Sequence, residues 1–91
     1  MHKAVIIGGS AGSFRVITRI LNALPKHFPI PILLNLHRLK HVRSGFVEAL
    51  SIKSNLPVVE PYDKESIKPG IAYLAPSNYH MYIELNKKIA L

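Results

Sequence analysis

The chain has 91 residues, of which 48% are hydrophobic and 19% charged, so it carries enough apolar side chains for a small globular fold and too little charge for a disordered chain. It contains no cysteine, which excludes disulfides, a thiolate nucleophile and cysteine-bound zinc, and the expected compartment is the cytoplasm. Asn35, His37 and several prolines interrupt every apolar run before the roughly 18 residues that a transmembrane helix needs, so membrane insertion is not expected.

The formal net charge is +7, from twelve lysines and arginines against five acidic residues. This charge is spread along the chain except for one basic cluster, formed by Arg38, Lys40, His41 and Arg43. No aromatic residues are interleaved with the cluster, as base stacking would require. A solvated basic face is therefore predicted, and nucleic acid is not expected as a partner.

The first half of the chain predicts a β-α-β unit. Residues 4–7 form a β-branched apolar run, typical of a strand buried on both faces of a parallel sheet. A helix is predicted from Phe14 to Pro25, and residues 32–37 predict the second strand. The helix has a main apolar stripe at Phe14, Ile17, Leu21 and Leu24 and a second stripe at Val16, Ile20 and Ala23, so we expect it to pack broadly.

The second half predicts a helix capped by Ser44 that fades near Asn55, followed by short strands at residues 57–59 and 71–75. A hairpin is expected from residue 80, with Met81, Ile83 and Leu85 on its apolar side and a turn at 86–88. No linker or repeat divides the chain. We expect residues 1–91 to be the N-terminal part of a larger domain, because the apolar end begins a strand with no turn or helix after it.

A G-x-S-x-G string spans residues 8–12, where the first strand turns into the first helix. Small residues beside a serine allow a sharp turn that raises the hydroxyl above the carboxyl edge of the sheet, as in a nucleophile elbow. The backbone N–H of Ala11 would then support an oxyanion. Two alternatives stay open, namely an anion or phosphate site at the helix start and a plain compact turn. The G-K-S/T and G-x-G-x-x-G phosphate patterns are absent.

His37 closes the second predicted strand. The carboxyl ends of neighbouring parallel strands lie side by side, so we expect His37 and Ser10 to face one crevice. An imidazole can accept the serine proton near neutral pH. A lone histidine at the end of a strand is more often structural, but its pairing with the serine turn favours the role of a base.

Four ordered segments resemble the catalytic domain of CheB-type protein-glutamate methylesterases, at residues 4–13, 24–25, 31–37 and 68–80. The resemblance implies an α/β fold, a three-layer αβα sandwich around a mainly parallel, doubly wound sheet, of which this chain would form about half. It implies hydrolysis of γ-glutamyl methyl esters on chemoreceptor helices, with glutamine deamidation by some members, and neither cofactor nor metal. The partner would be a methylated chemoreceptor or another glutamate-rich helix.

Residue by residue, the resemblance implies Ser10 as the nucleophile and His37 as the base, with Ala11 donating to the oxyanion. The Leu-Ala-Pro-x-x-x-His segment falls on residues 74–80, which makes His80 a candidate substrate-side residue. His-Arg-Leu-Lys replaces the usual His-Met-Pro-Pro, so Arg38 would make the cleft wall basic.

The aspartate of the family's triad and its second oxyanion donor lie beyond residue 91, so the remainder of the domain is an expected partner and this piece alone is expected to be nearly inactive. Asp63, the one aspartate present, has no support from the family pattern. No receiver domain precedes the first strand in this chain, so control would come from elsewhere. The alternative function is a non-catalytic anion- or phosphate-binding module that docks an acidic partner, and a structural relic without activity is a third.

Overall fold

The computed structural model describes residues 3–37, 45–76 and 79–91, and within these ranges the side chains of Ala11 and Phe46 are not described. The elements in chain order are strand β1 (Val5–Ser10), a 3₁₀ turn (Ala11–Ser13), helix α1 (Phe14–Ala23), strand β2 (Ile32–His37), helix α2 (Phe46–Lys53), and strands β3 (Val58–Val59), β4 (Ala72–Leu74), β5 (Tyr82–Ile83) and β6 (Ile89–Ala90).

Four of the strands form a parallel sheet in the order β1-β2-β4-β3, which confirms the predicted α/β class. β2 occupies the predicted residues 32–37, and its apolar residues are buried because the strand has a neighbour on each side and a covered surface on each face. β1 pairs with β2 in continuous register from Val5↔Ile32 to Ser10↔His37.

One face of the sheet is covered by α1 and α2. Ile17 and Leu21 of α1 and Leu50 of α2 are fully buried against it. The sheet side of this core is made by alternate strand residues, namely Ile32, Leu34, Leu36, Val58, Ala72 and Leu74. The main apolar stripe of α1 therefore packs as predicted, since a spacing of three and four residues returns to the same side of a helix.

The opposite face is covered by the antiparallel hairpin of β5 and β6 and by the segment that precedes β4. Its core includes Leu33 and Tyr73 from the sheet, with Met81 and Ile89 from the hairpin region. The Tyr73 hydroxyl accepts a hydrogen bond from the Lys68 N–H at 2.8 Å. Burial raises the pKa of Tyr73, and this hydrogen bond offsets part of that rise.

Two predictions about packing are wrong. β1 is not buried on both faces, because Val5 and Ile6 are 36% and 59% exposed. Within the described residues β1 is an edge strand, and its contact with the core beneath the helices is made by Ile7. The second stripe of α1 is also open to solvent, with Val16 59% exposed, because the helix contacts the sheet along a single stripe.

The later elements are shorter than predicted. The proposed cap Ser44 lies outside the described residues, and α2 begins after Gly45, whose φ of 78° favours glycine, and ends at Lys53. Of the three residues predicted on the apolar side of the hairpin, Met81 is buried, whereas Ile83 and Leu85 are exposed. The reason is that β5 has two residues and the turn already begins at Glu84, which bonds Lys88.

Neither α1 nor α2, nor any other helix in the part of the chain that is described, is long and apolar enough to span a membrane.

Candidate active site

The turn after β1 brings Gly9 into close contact with Ser13, and the absence of a side chain on Gly9 leaves room for that contact. A Cβ placed on Gly9 would lie 2.8 Å from the Oγ and 3.3 Å from the Cβ of Ser13, which is closer than real side chains pack. A Cβ placed on Gly12 would lie 3.4 Å from the Ser10 Oγ, so that hydroxyl lies next to the turn. The chain can therefore pass from strand to helix within the three residues of the 3₁₀ turn.

Ser10 and His37 are register partners at the carboxyl ends of β1 and β2. Their Cα atoms are thus separated by about one strand spacing, ~4.8 Å. Residues in register on parallel strands project to the same side, and here that side is the one away from α1, since Ile7 and Leu36 face the helices. Both residues are exposed, so a substrate can reach them.

A cavity of about 550 Å³ opens on this side of the sheet. It is lined by Ile6, Gly8, Gly9, Asn35, Leu36, His37, Tyr79 and His80. Ser10 directly follows this lining on β1. The volume is within the range of cavities that bind small molecules or side chains.

Asn35 joins the cavity floor to the segment that carries Tyr79 and His80. Its Nδ2 donates to the Met81 carbonyl at 3.2 Å, and its Oδ1 accepts from the Met81 N–H at 2.8 Å. We call these two bonds the Asn35–Met81 pair. The sequence analysis did not identify Asn35 or Tyr79 as site residues. A signal for Asn35 was present, because it is the one polar residue within the otherwise apolar run 32–36.

The structure brings together three of the predicted site residues, Ser10, His37 and His80, along one side of the sheet. Ala11 opens the 3₁₀ turn directly after Ser10. Arg38 lies outside the described residues, as does the rest of the basic cluster.

Asp63 is away from this cavity. Its Oδ1 accepts a hydrogen bond from the Leu91 N–H at 3.0 Å, so it anchors the end of the hairpin. The described cavity lining contains no carboxylate. Within the described ranges, no group of three or more histidine, aspartate or glutamate side chains is arranged to hold a metal ion.

Comparison with known proteins identifies the family of this chain. The sequence profile of the CheB methylesterase family matches residues 5–91. The chain belongs to the CheB methylesterase family.

Relatives with curated names support this membership. The chain is 40% identical over 89 residues to a protein-glutamate methylesterase/protein-glutamine glutaminase of Nitrosospira multiformis, covering 98% of this chain and 25% of the relative. It is 37% identical over 86 residues to a putative enzyme of the same name from Leptospira interrogans, covering 94% of this chain and 45% of the relative.

The fold agrees with a solved member of the CheB methylesterase family. The crystal structure of the Thermotoga maritima CheB methylesterase catalytic domain superposes with a TM-score of 0.85 at 35% identity, over 99% of this chain and 48% of that one. The chain thus spans about a quarter to a half of the length of the relatives described here.

Proposed function

We propose that the chain supplies the nucleophile and the base for hydrolysis of γ-glutamyl methyl esters on proteins, in the cytoplasm. The observation that carries the proposal is the register pairing of Ser10 with His37 at the ends of adjacent parallel strands. Their position beside an open cavity and the names of the curated relatives support it.

In the proposed reaction, the Ser10 Oγ attacks the ester carbonyl carbon while His37 accepts the hydroxyl proton. The Ala11 N–H and the start of α1 stabilise the oxyanion that forms. The tetrahedral intermediate collapses, and His37 returns the proton to the methoxy group, which leaves as methanol. Water then attacks the acyl-enzyme with His37 as the base, which releases the glutamate carboxylate and restores Ser10. With a glutamine amide the same steps would release ammonia.

The first proton transfer requires the Ser10 hydroxyl to turn towards the imidazole across about one strand spacing. Such catalytic hydrogen bonds often shorten only when substrate is bound. A carboxylate that holds the imidazole tautomer is also needed in serine hydrolases of this design, and its loss lowers turnover about 10⁴-fold. We propose that sequence corresponding to the remainder of the relatives' catalytic domain provides it.

The proposed substrate is a glutamate-rich protein helix, such as a methylated chemoreceptor. The chain has a net charge of +7, and Arg38 follows His37 directly in the sequence. A basic rim attracts an acidic helix through long-range electrostatics and raises the association rate.

Labelling with a fluorophosphonate tests the nucleophile. In the protein produced from its complete gene, we expect labelling of Ser10, loss of labelling in Ser10→Ala and retention in Ser13→Ala, the matched serine of the same turn. Mass spectrometry of the labelled peptide identifies the modified residue. Absence of labelling in the folded wild-type protein, together with a rise in its melting temperature on addition of phosphate, would replace the esterase by an anion-binding module.

A further inference from the structure

Asn35 is placed to connect the two sides of the cavity. It lies two residues before His37 on β2 and projects to the same face, because strand side chains alternate. Its amide bonds both backbone polar groups of Met81, which is 46 residues away in sequence. An asparagine amide offers a donor and an acceptor side by side, as a peptide group of a neighbouring strand would.

The bonded segment is also held by its own side chains and turns. The Met81 side chain is 3% exposed and packs in the core beneath the hairpin. The Tyr79 N–H donates to the Pro76 carbonyl at 3.0 Å. Tyr79 and His80 therefore sit on a backbone that is bonded on each side of them, while their side chains stay exposed, that of Tyr79 by 55%.

Tyr79 and His80 offer the chemistry that a polypeptide ligand requires. A tyrosine presents a rigid apolar ring with a polar hydroxyl, and an imidazole can donate to a backbone carbonyl or a carboxylate. Both line the cavity together with His37. They do not take part in the proton transfers described above, so their contribution would be to binding.

We infer that Asn35 is a positioning residue: through the Asn35–Met81 pair it holds Tyr79 and His80 where they contact the polypeptide that carries the ester. The inference rests on the proposed function, which it extends by naming the wall that binds the substrate's protein part. Such binding is equally strong before and during the reaction, so its loss raises KM and leaves kcat nearly unchanged.

The test compares Asn35→Leu with Asn55→Leu in the complete protein. Leucine is branched at Cγ, as asparagine is, and cannot make the Asn35–Met81 pair. Asn55 is the control because its side-chain amide also makes two hydrogen bonds to the backbone, at the other end of α1 from Ser10. Its Nδ2 donates to the carbonyls of Asn22 and Leu24, both at 2.8 Å. The substrate is a glutamate-rich helical peptide with one γ-methyl glutamate, and released methanol is measured.

For Asn35→Leu we expect KM to rise about tenfold with kcat within about twofold, while Asn55→Leu keeps the wild-type KM. An unchanged KM, a fall in kcat alone, or the same KM change in both variants would overturn the inference. If Asn35→Leu does not fold, the double variant Tyr79→Ala/His80→Ala replaces it, with the same expected rise and the same overturning result. A wild-type protein that neither hydrolyses the peptide nor is labelled at Ser10 would overturn the proposed function itself.

Discussion

At the scale of single residues, the candidate site depends on Gly9 having no Cβ atom. Gly9 precedes Ser10 and approaches Ser13 so closely that a methyl group has no room. Packing of Ser13 over Gly9 directs the chain from β1 into α1 at the position where Ser10 ends the strand. A side chain in this place is opposed by steric contact with Ser13 and not by the backbone conformation, because Gly9 has no positive φ.

Gly9→Ala tests this contact. We expect the free energy of unfolding to fall by about 1–3 kcal/mol, because the added methyl group overpacks the turn, and labelling of Ser10 to slow. Urea denaturation measures the first effect. For the free energy of unfolding, Gly8→Ala is the matched control, since a Cβ there would be no closer than 4.0 Å to the nearest atom. Failure of the second substitution Ser13→Gly to restore stability to Gly9→Ala would contradict the steric explanation.

At the scale of elements, the burial of each strand of the central sheet depends on the elements that cover its two faces. β2 has helices on one face and the hairpin region on the other, so its apolar run is buried as predicted. β4 is buried too, and it carries a phenol whose hydroxyl bonds the backbone of Lys68 in the preceding segment. That buried phenol makes the packing of β4 sensitive to alkaline pH.

We expect the stability of the protein to fall as pH rises above 10.0, the ordinary pKa of tyrosine. In that range the unfolded chain releases the Tyr73 proton while the folded chain retains it, because burial raises the pKa of Tyr73, so deprotonation favours unfolding. Lys64, whose pKa is raised chiefly by its hydrogen bond to Glu84, acts in the same direction.

The variant Tyr73→Phe separates the contribution of the Tyr73 hydrogen bond to stability from the contribution of its titration. At pH 8 the variant is expected to be less stable by about 1 kcal/mol, because the Lys68 N–H loses its acceptor. The difference from wild type should shrink above pH 10, since the variant has no phenol to titrate. Urea unfolding at several pH values measures it, with Tyr62→Phe as the exposed control. A difference that stays constant with pH would show that Tyr73 does not titrate differently in the folded state.

At the scale of the whole molecule, the site side of the sheet is open to solvent along β1. β1 pairs only with β2 there, and Ile6, which lines the cavity, is 59% exposed. A strand edge with apolar side chains favours pairing with another chain. The same face contains Ser10 and His37, so whatever covers this edge also affects the candidate site.

The 91-residue chain on its own is therefore expected to self-associate as its concentration rises. Ile6→Lys should reduce the association, because a charged side chain at a strand edge opposes pairing. Sedimentation velocity over a concentration series measures it. Ile52→Lys is the control, since Ile52 on α2 is 81% exposed and away from the edge. A wild-type chain that stays monomeric throughout, or an equal effect of both substitutions, would contradict this prediction.

The sequence by itself determined the class of fold, the bounds of β2, the main stripe of α1 and the family. These follow from patterns that are local or repeated along the chain: an apolar run bounded by prolines, a helical spacing, and four ordered segments. It also indicated Ser10 and His37 as neighbours, because parallel strands in a β-α-β unit end at the same edge of a sheet.

Only the tertiary structure decided which surfaces those elements cover. The exposure of β1 and of Val16 depends on how many neighbours each element has, which no local pattern specifies. The bonds between Asn35 and Met81, and with them the place of Tyr79 in the cavity, join residues 46 positions apart. Such contacts arise from how the chain packs in three dimensions, so a single sequence without its fold does not reveal them.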